Sequence, residues 1–199
     1  MANFRAISAV GSALATYLSL SFQQDTAINS LVQCQFKVIS SGQLAAEDQS
    51  PLDKIVSLFL HRITVDEHSR VPARIPDSPQ KRALLTLDLH YLITYWGTSA
   101  EDEQLVLAWV MQQLQLNPIL EPSLLPADAG WTADESLQVV RSNLSLEDIM
   151  RIWDAIGPKY RLSLGYEVRP VRIDVDQTPG LPVVAKRFVE GDMAVTVDT

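Results

Sequence analysis

Two side chains that could do acid–base or metal chemistry lie two positions apart in an otherwise apolar stretch. The stretch is LTLDLHYLITYWG, residues 85–97, and the two side chains are Asp88 and His90. An Asp and a His in this arrangement could act as a base with its orienting carboxylate, or as two metal ligands. Either role needs further partners, so the question is whether the sequence supplies them.

Few partners are available in the sequence. Tyr91 and Tyr166 could join the pair in a small hydrolase or ligand-binding site, whereas His61 lies in an apolar run and His68 in a polar connection. The chain has no H-E-x-x-H or G-x-S-x-G motif and no phosphate-binding glycine loop. A histidine on a strand usually satisfies hydrogen bonds, so we predict a structural role for His90, and no catalytic or metal site.

The alternation of side chains in a strand separates this stretch into two faces. One face is predicted to be unbroken core and carries Leu85, Leu87, Leu89, Tyr91, Ile93 and Tyr95. The other face is more polar and carries Thr86, Asp88, His90, Leu92, Thr94 and Trp96. We therefore expect Asp88 and His90 to be satisfied by a neighbouring element, another subunit or water.

Composition limits the classes of function. The chain has 199 residues, a formal net charge of −8 and one cysteine. A nucleic-acid binder needs clustered Lys and Arg, so nucleic acid is excluded as an expected partner. A lone cysteine cannot form an internal disulfide, and no run suggests a membrane span, so we expect a cytosolic product of one domain with a tail.

The N-terminal half predicts one helix and two strands. Apolar residues in the first 22 positions recur at spacings of three and four, which indicates an amphipathic helix and not a signal peptide: Ile7, Val10, Leu14, Tyr17 and Leu18. VQCQFKVIS alternates, which predicts a half-buried strand with Cys34 as a packed thiol and Val38 on its apolar side. KIVSLFLHRITV predicts a strand covered on both faces.

The C-terminal half predicts two helices and two strands. Thr98 or Ser99 caps a helix that runs to about Leu116, and its middle, LVLAWVM, is apolar nearly all round, which predicts cover on more than one side. NPILEPSLLPADAGW reads as a loop and ESLQVVRS as a strand. Ser145 caps a second helix that Gly157 ends. In the last strand the apolar phase flips after Pro170, which predicts a bulge or an edge position.

Two segments fall outside these elements. Residues 66–82 form a long connection with three prolines, and residues 176–199 form a tail whose apolar runs, VVAKRFV and MAVTV, are too short for a core of their own. The predicted fold is α+β, with a central sheet of about five strands, three main helices packed on it, a long inter-strand arm and an extended C-terminal tail. We expect a domain over 1–175 and the tail over 176–199.

The order of these segments resembles a known family. The N-terminal amphipathic helix, LDLHYLITYWG, EDEQLVLAWVMQQLQLNPIL, SLEDIMRIWDAIGPKYRLSLGYEVRPVRID and the connection at 66–82 are together similar to the tube-terminator or cap family of phage-tail-like extracellular contractile injection systems, which is itself similar to phage tail terminators. The resemblance covers roughly residues 1–175, and its motifs are diffuse and not catalytic.

The resemblance implies a structural protein, not an enzyme. It implies a homohexameric ring at the distal end of the inner tube that also anchors the last sheath layer. The implied partners are therefore other copies of this chain, the inner tube protein and the sheath protein, with no nucleic acid, membrane or cofactor. Assembly would take place in the cytoplasm, after which the chain would be part of the contractile particle.

The two extra segments supply the candidate contacts. Within the arm, four basic residues are expected to contact the adjacent subunit or the tube end, with plain disorder as the alternative: Arg70, Arg74, Lys81 and Arg82. Within the tail, four apolar residues are expected to add as a strand to the sheath, unless the tail folds onto its own sheet: Val183, Val184, Phe188 and Val189. A hydrolase or ligand-binding domain using Asp88 and His90, and a monomeric adaptor, remain as alternatives.

Overall fold

The computed structural model describes residues 2–46, 52–66, 83–132 and 135–175. Within these residues the helices are α1 (Ala6–Gln24), α2 (Thr26–Asn29), α3 (Ser41–Leu44), α4 (Ala100–Leu116) and α5 (Leu146–Ile156). The strands are β1 (Gln35–Val38), β2 (Ile55–Val65), β3 (Ala83–Trp96), β4 (Ile119–Leu120), β5 (Leu137–Arg141) and β6 (Ser163–Val175).

The strands form one mixed sheet in the order β1-β2-β3-β6-β5-β4. The pair β1–β2 is parallel and the other neighbours are antiparallel. The predicted α+β fold is confirmed: three main helices, α1, α4 and α5, accompany a sheet in which the two-residue β4 is the addition to the five expected strands. No helix among the described residues is long and apolar enough to cross a membrane.

The central strand β3 contributes to the larger of two hydrophobic clusters. Its predicted core face is confirmed, because Leu87, Leu89, Tyr91, Ile93 and Tyr95 are all buried in that cluster and Leu85 packs against it. Helices α1 and α4 cover this face. Helix α1 approaches closely at Gly11, where a Cβ atom would lie 3.2 Å from the Tyr91 hydroxyl oxygen and 3.3 Å from the Val38 side chain.

The opposite face of β3 is half apolar and half polar. Leu92 and Trp96 are buried in a second cluster beneath α5, where the indole of Trp153 lies 6.0 Å from that of Trp96. Both indoles donate hydrogen bonds to buried hydroxyls: Trp96 Nε1 to Ser57 Oγ at 2.8 Å and Trp153 Nε1 to Ser163 Oγ at 3.2 Å. Satisfying both N–H groups lets two large aromatic side chains be buried at low cost.

Local sequence signals set both ends of α5, as predicted. The Ser145 hydroxyl accepts from the Asp148 amide, and the Asp148 carboxylate accepts from the Ser145 amide, which completes a capping box. Gly157 ends the helix at a φ of 102°, in the left-handed region that glycine adopts without strain. For α4 the cap is Ser99, which accepts from the Asp102 amide.

The phase flip in β6 is a bulge. Val168 pairs with Leu89 and Val171 pairs with Leu87, so Arg169 and Pro170 together oppose Asp88. The extra residue returns Val171 and Ile173 to the same buried face as Tyr166 and Val168. Since proline has no N–H for a ladder, a bulge is a position where it costs little.

Several finer predictions are wrong, and the reasons are tertiary. Val38 is 45% exposed because β1 is an edge strand. Cover on both faces of β2 holds from Ile55 to Leu58 but not beyond, where Ile63 and Val65 are about half exposed. The loop after α4 contains the short strand β4, which pairs with β5.

The prediction that α4 is covered by more than the sheet is confirmed by its contacts with α1 and α2, but the cover is incomplete. One side of the helix packs on β3, α1 and α2, while its outer face, centred on Ala108, is exposed. A sequence pattern cannot distinguish this alanine from a buried one, because alanine is small enough to sit in either environment.

We expect Trp153→Ala to lower the free energy of unfolding by about 3–5 kcal/mol, because it empties the centre of the second cluster and leaves Ser163 with one partner fewer. Urea denaturation measures the change. The matched control is Asp154→Ala, an exposed position on the same helix that should shift stability by less than about 0.5 kcal/mol. Equal effects of the two substitutions would contradict the role of Trp153.

Candidate functional site

The imidazole of His90 is held by the strands on either side of it. Its Nε2 atom lies 2.9 Å from Thr64 Oγ1 on β2, and its Nδ1 atom lies 3.8 Å from Glu167 Oε2 on β6. Glu167 also forms an ion pair with Arg169 at 3.0 Å. Both ring nitrogens of His90 thus face neighbouring strands, as the structural interpretation predicts.

Asp88 faces the β6 bulge and lies among other carboxylates. Burial raises its pKa, and the negative charges of Glu167 and Asp66 act in the same direction, against smaller opposite effects of Arg169 and His90. A carboxyl group with a raised pKa can serve as an acid, so geometry must decide whether a site exists here.

The geometry does not assemble the hydrolase alternative. Tyr91 and Tyr166 pair with each other across β3 and β6, on the face of the sheet opposite to Asp88 and His90. Burial raises the pKa of both tyrosines. Among the described residues there is no group of three or more His, Cys, Asp and Glu side chains that could hold a metal ion. His68 lies outside the described residues.

His61 is the unexpected member of this region. It occupies a bulge in β2, between Leu60 and Arg62, and its ring centroid is 6.1 Å from that of His90. Its Nε2 atom is buried and has no hydrogen-bond partner within the part of the chain that the structure describes. Burial, together with His90 and Arg62, lowers the pKa of His61 to about 4, so at neutral pH the ring is uncharged.

The arm and the tail leave the sheet at the same end. Val65 at the end of β2 pairs with Leu87, and Ala83 at the start of β3 pairs with Val175, the last residue of β6. Since neighbouring strands lie about 5 Å apart, the position where the arm ends, at Ala83, is beside the position where the tail begins, after Val175, whereas β3 separates the start of the arm from the tail. No local sequence pattern indicates this proximity, which depends on the pairing of β3 with β6.

The two sets of candidate contact residues cannot be placed. Arg70, Arg74, Lys81 and Arg82 of the arm lie outside the described residues. The same holds for Val183, Val184, Phe188 and Val189 of the tail.

The sheet end from which the arm and tail depart is also the least covered part of β2. In the described chain β1 pairs with β2 only from Ile55 to Leu58, so the edge of β2 beyond Leu58 has no strand beside it. Ile63 and Val65 are 46% and 49% exposed there. An uncovered edge with exposed β-branched side chains can pair with another chain.

A groove at the other end of the sheet was missed by the sequence analysis. It is an open space of about 590 Å³ between the end of α1, the edge strand β1 and the turn before β2, lined by residues that include Phe22, Gln23, Cys34, Gln35, Lys37 and Lys54. Cys34 is half-buried at its wall, and burial raises the pKa of its thiol to about 12, which confirms a packed thiol. No linear signal joins α1 to β1, so only the fold reveals the groove.

These surfaces define an α+β domain whose distinctive features, among the described residues, are uncovered strand edges. The chain belongs to the family described as the Pvc16 N-terminal domain, whose model matches residues 9–186. No curated protein matches the chain.

Two solved structures are similar to the chain. One is the sheath/tube terminator of PVC, an extracellular contractile injection system, in the extended state, with 24% identity and a TM-score of 0.55. The match covers 96% of this chain and 63% of the terminator chain, so this chain spans less than two thirds of it. The other is the tube-terminating cap of the anti-feeding prophage, with 20% identity, a TM-score of 0.49, and coverage of 89% of this chain and 60% of the other.

The buried, uncharged His61 predicts a loss of stability in mild acid. Its pKa is about 4 in the folded chain and about 6.5 in an unfolded one, so the unfolded state binds more protons between these values. The free energy of unfolding should therefore fall as the pH drops from about 6.5 to 4. Urea titrations across this range should give a shallower decline for His61→Gln, and identical slopes for the two proteins would contradict the assignment.

Proposed function

We propose that this chain is a structural cap that ends the inner tube and the sheath of a contractile injection particle. The observation that carries the proposal is the correspondence of 96% of the chain with the fold of a sheath/tube terminator, within a family to which the chain belongs. The similar structure is a sheath/tube terminator, which supports a structural and not a catalytic role.

In this proposal the chain acts as a ring of identical subunits. A tube built from rings presents the same surface many times around its axis, so a closing protein matches it best as a closed ring of the same symmetry. We propose six subunits, seated on the distal end of the tube. The ring forms in the cytoplasm, with no cofactor, nucleic acid or membrane as partner, and then becomes part of the particle.

The shared end of the sheet suits one side of such a ring. We propose that residues 1–175 form the capping domain, and that the arm and the tail extend from the sheet end marked by Val65 and Val175 towards other subunits. Two segments that meet the sheet at neighbouring positions, Ala83 and Val175, can engage two partners at one boundary, the tube below and the sheath around it. This arrangement requires no pocket, because main-chain hydrogen bonds and charge provide the contacts.

The arm is proposed to contact the tube end or the adjacent subunit through its four basic residues. Replacing Arg70, Arg74, Lys81 and Arg82 together by Ser should leave the melting temperature within a few degrees, because charged side chains at contacts between subunits contribute little to the stability of one subunit, and should weaken tube capping at least tenfold. Negative-stain counts of capped tubes measure the effect. The control is Arg141→Ser with Lys159→Ser, two exposed basic positions of the domain. Undiminished capping by the arm variant would contradict the proposal.

The tail is proposed to add as a strand to the sheath through Val183, Val184, Phe188 and Val189. A chain ending at Asp176 should keep its melting temperature and its binding to tubes, and should lose sheath attachment, because the donated strand is missing. Sedimentation of tubes with sheath protein measures attachment. A matched variant with Val184→Asp and Phe188→Asp should behave likewise. A drop of ten degrees or more in the melting temperature would instead mean that the tail completes its own subunit's sheet.

A further inference from the structure

The groove beside β1 has the form of a site that accepts an extended strand. β1 hydrogen-bonds to β2 on one side and, among the described residues, to no strand on the other. The amides of Gln35 and Ile39 donate to β2, at Lys54 O and Leu58 O. Since backbone groups alternate in direction along a strand, those of Phe36 and Val38 point to the free edge.

The floor and rims of this groove are chemically distinct. The floor is formed by Phe22, which lines the groove, and by Phe36, which lines an adjoining hollow. Phe22 packs edge to face at 5.6 Å on Phe36 and at 5.1 Å on Trp109, which is buried behind the floor. The rims carry polar side chains from α1 and β1, including Gln23 and Gln35. An extended chain lying here could direct alternate side chains to the floor while its backbone pairs with β1, which is how peptides add to a sheet edge beside a helix.

The groove also carries a positive charge on an acidic protein. Among the described residues that line it, Lys37 and Lys54 are exposed basic side chains and Asp53 is the one acidic side chain. An occupant with acidic residues at both ends of a short apolar strand would complement this distribution.

One segment of the chain has this pattern. Residues 192–198, DMAVTVD, place Met193, Val195 and Val197 on one face of a strand and carry Asp192 and Asp198 at its ends. The tail begins after Val175 on β6, which is separated from β2 by β3. It begins at the Val65 end of β2, whereas β1 and the groove lie at the Ile55 end. At about 3.3 Å per residue of β2, the start of the tail is therefore about 30 Å from the groove of its own subunit.

We propose that residues 192–198 of a second copy of this chain add as a strand to β1 and occupy the groove. The proposal deepens the proposed ring, on which it rests, because each subunit would clasp the next. It is separate from the sheath contact at residues 183–189, which precede this segment in the same tail.

The single cysteine of the chain reports on occupancy of the groove. Cys34 lines the groove, so a seated strand should slow its alkylation by N-ethylmaleimide. Because the thiol is half-buried and its pKa is raised, the reaction is slow even without an occupant, and every rate is compared with that of the dilute unmodified chain. For the full-length chain we expect the alkylation rate to fall several-fold as the subunit concentration rises, because a neighbour's tail binds by mass action.

Two charge-reversed variants test the pairing. Lys37→Glu with Lys54→Glu makes the groove acidic, and Asp192→Lys with Asp198→Lys makes the tail basic, so each variant alone opposes like charges. Each should alkylate at the rate of the dilute unmodified chain at all concentrations, and an equimolar mixture should be protected again, because each tail then fits the other variant's groove. Arg141→Glu with Lys159→Glu is the matched control and should behave as the unmodified chain.

Three results would overturn the proposal: alkylation of the unmodified chain that does not depend on concentration, variants as protected as the control, or a mixture with no restored protection. Concentration-independent protection that the charge reversals abolish would place the tail in its own subunit's groove. Tube capping, scored in parallel, separates this inference from the proposed function. If the unmodified chain caps tubes but Cys34 shows no concentration-dependent protection, the strand addition between subunits is rejected and the proposed capping function is kept. If the unmodified chain does not cap tubes, the proposed capping function is rejected.

Discussion

The structure depends on the burial of β3 from both sides. Its core face packs under α1 and α4, and the half of its other face that contains Leu92 and Trp96 packs under α5. A strand in this position must exclude water on two surfaces, so it needs partners on both edges and helices on both faces. β2 and β6 supply the edges, and the two aromatic donors, Trp96 and Trp153, are accommodated because Ser57 and Ser163 accept their N–H groups.

The same constraint explains where the polar residues are. α5 covers only part of the second face, so beyond Leu92 the strand carries His90 and Asp88, which meet Thr64, Glu167 and Arg169 on the flanking strands. This pattern looks like a site in the sequence because its residues have titratable side chains. In three dimensions it is the polar end of a sheet face, in which His90 contacts Thr64 and Glu167 on the flanking strands, Asp88 lies beside the β6 bulge, and the tyrosines that could extend the chemistry lie on the opposite face.

The features of this domain that can bind partners are therefore strand edges and not clusters of titratable side chains. β3 and β6 pair as far as Ala83 and Val175, so the end of the arm lies beside the start of the tail. Among the described residues, the short β1 leaves a free edge above an aromatic floor at the far end of β2. An assembly protein gains from this division, since backbone pairing and distributed charge can join identical subunits without a shaped cavity. The acidic surface favours contacts through basic groups concentrated in a few places.

The sequence by itself determined the elements whose signals are local. Four features depend on neighbours a few positions away: the caps at Ser99 and Ser145, the helix end at Gly157, the two faces of residues 85–96 and the phase flip at Pro170. The order of segments, which carries the family resemblance, can likewise be read along the chain. Tertiary structure alone decided the exposure of Val38 and Ala108, the isolation of His61 and the groove between α1 and β1. These properties depend on which distant segment covers a residue, and the residue's own type and spacing do not encode that contact.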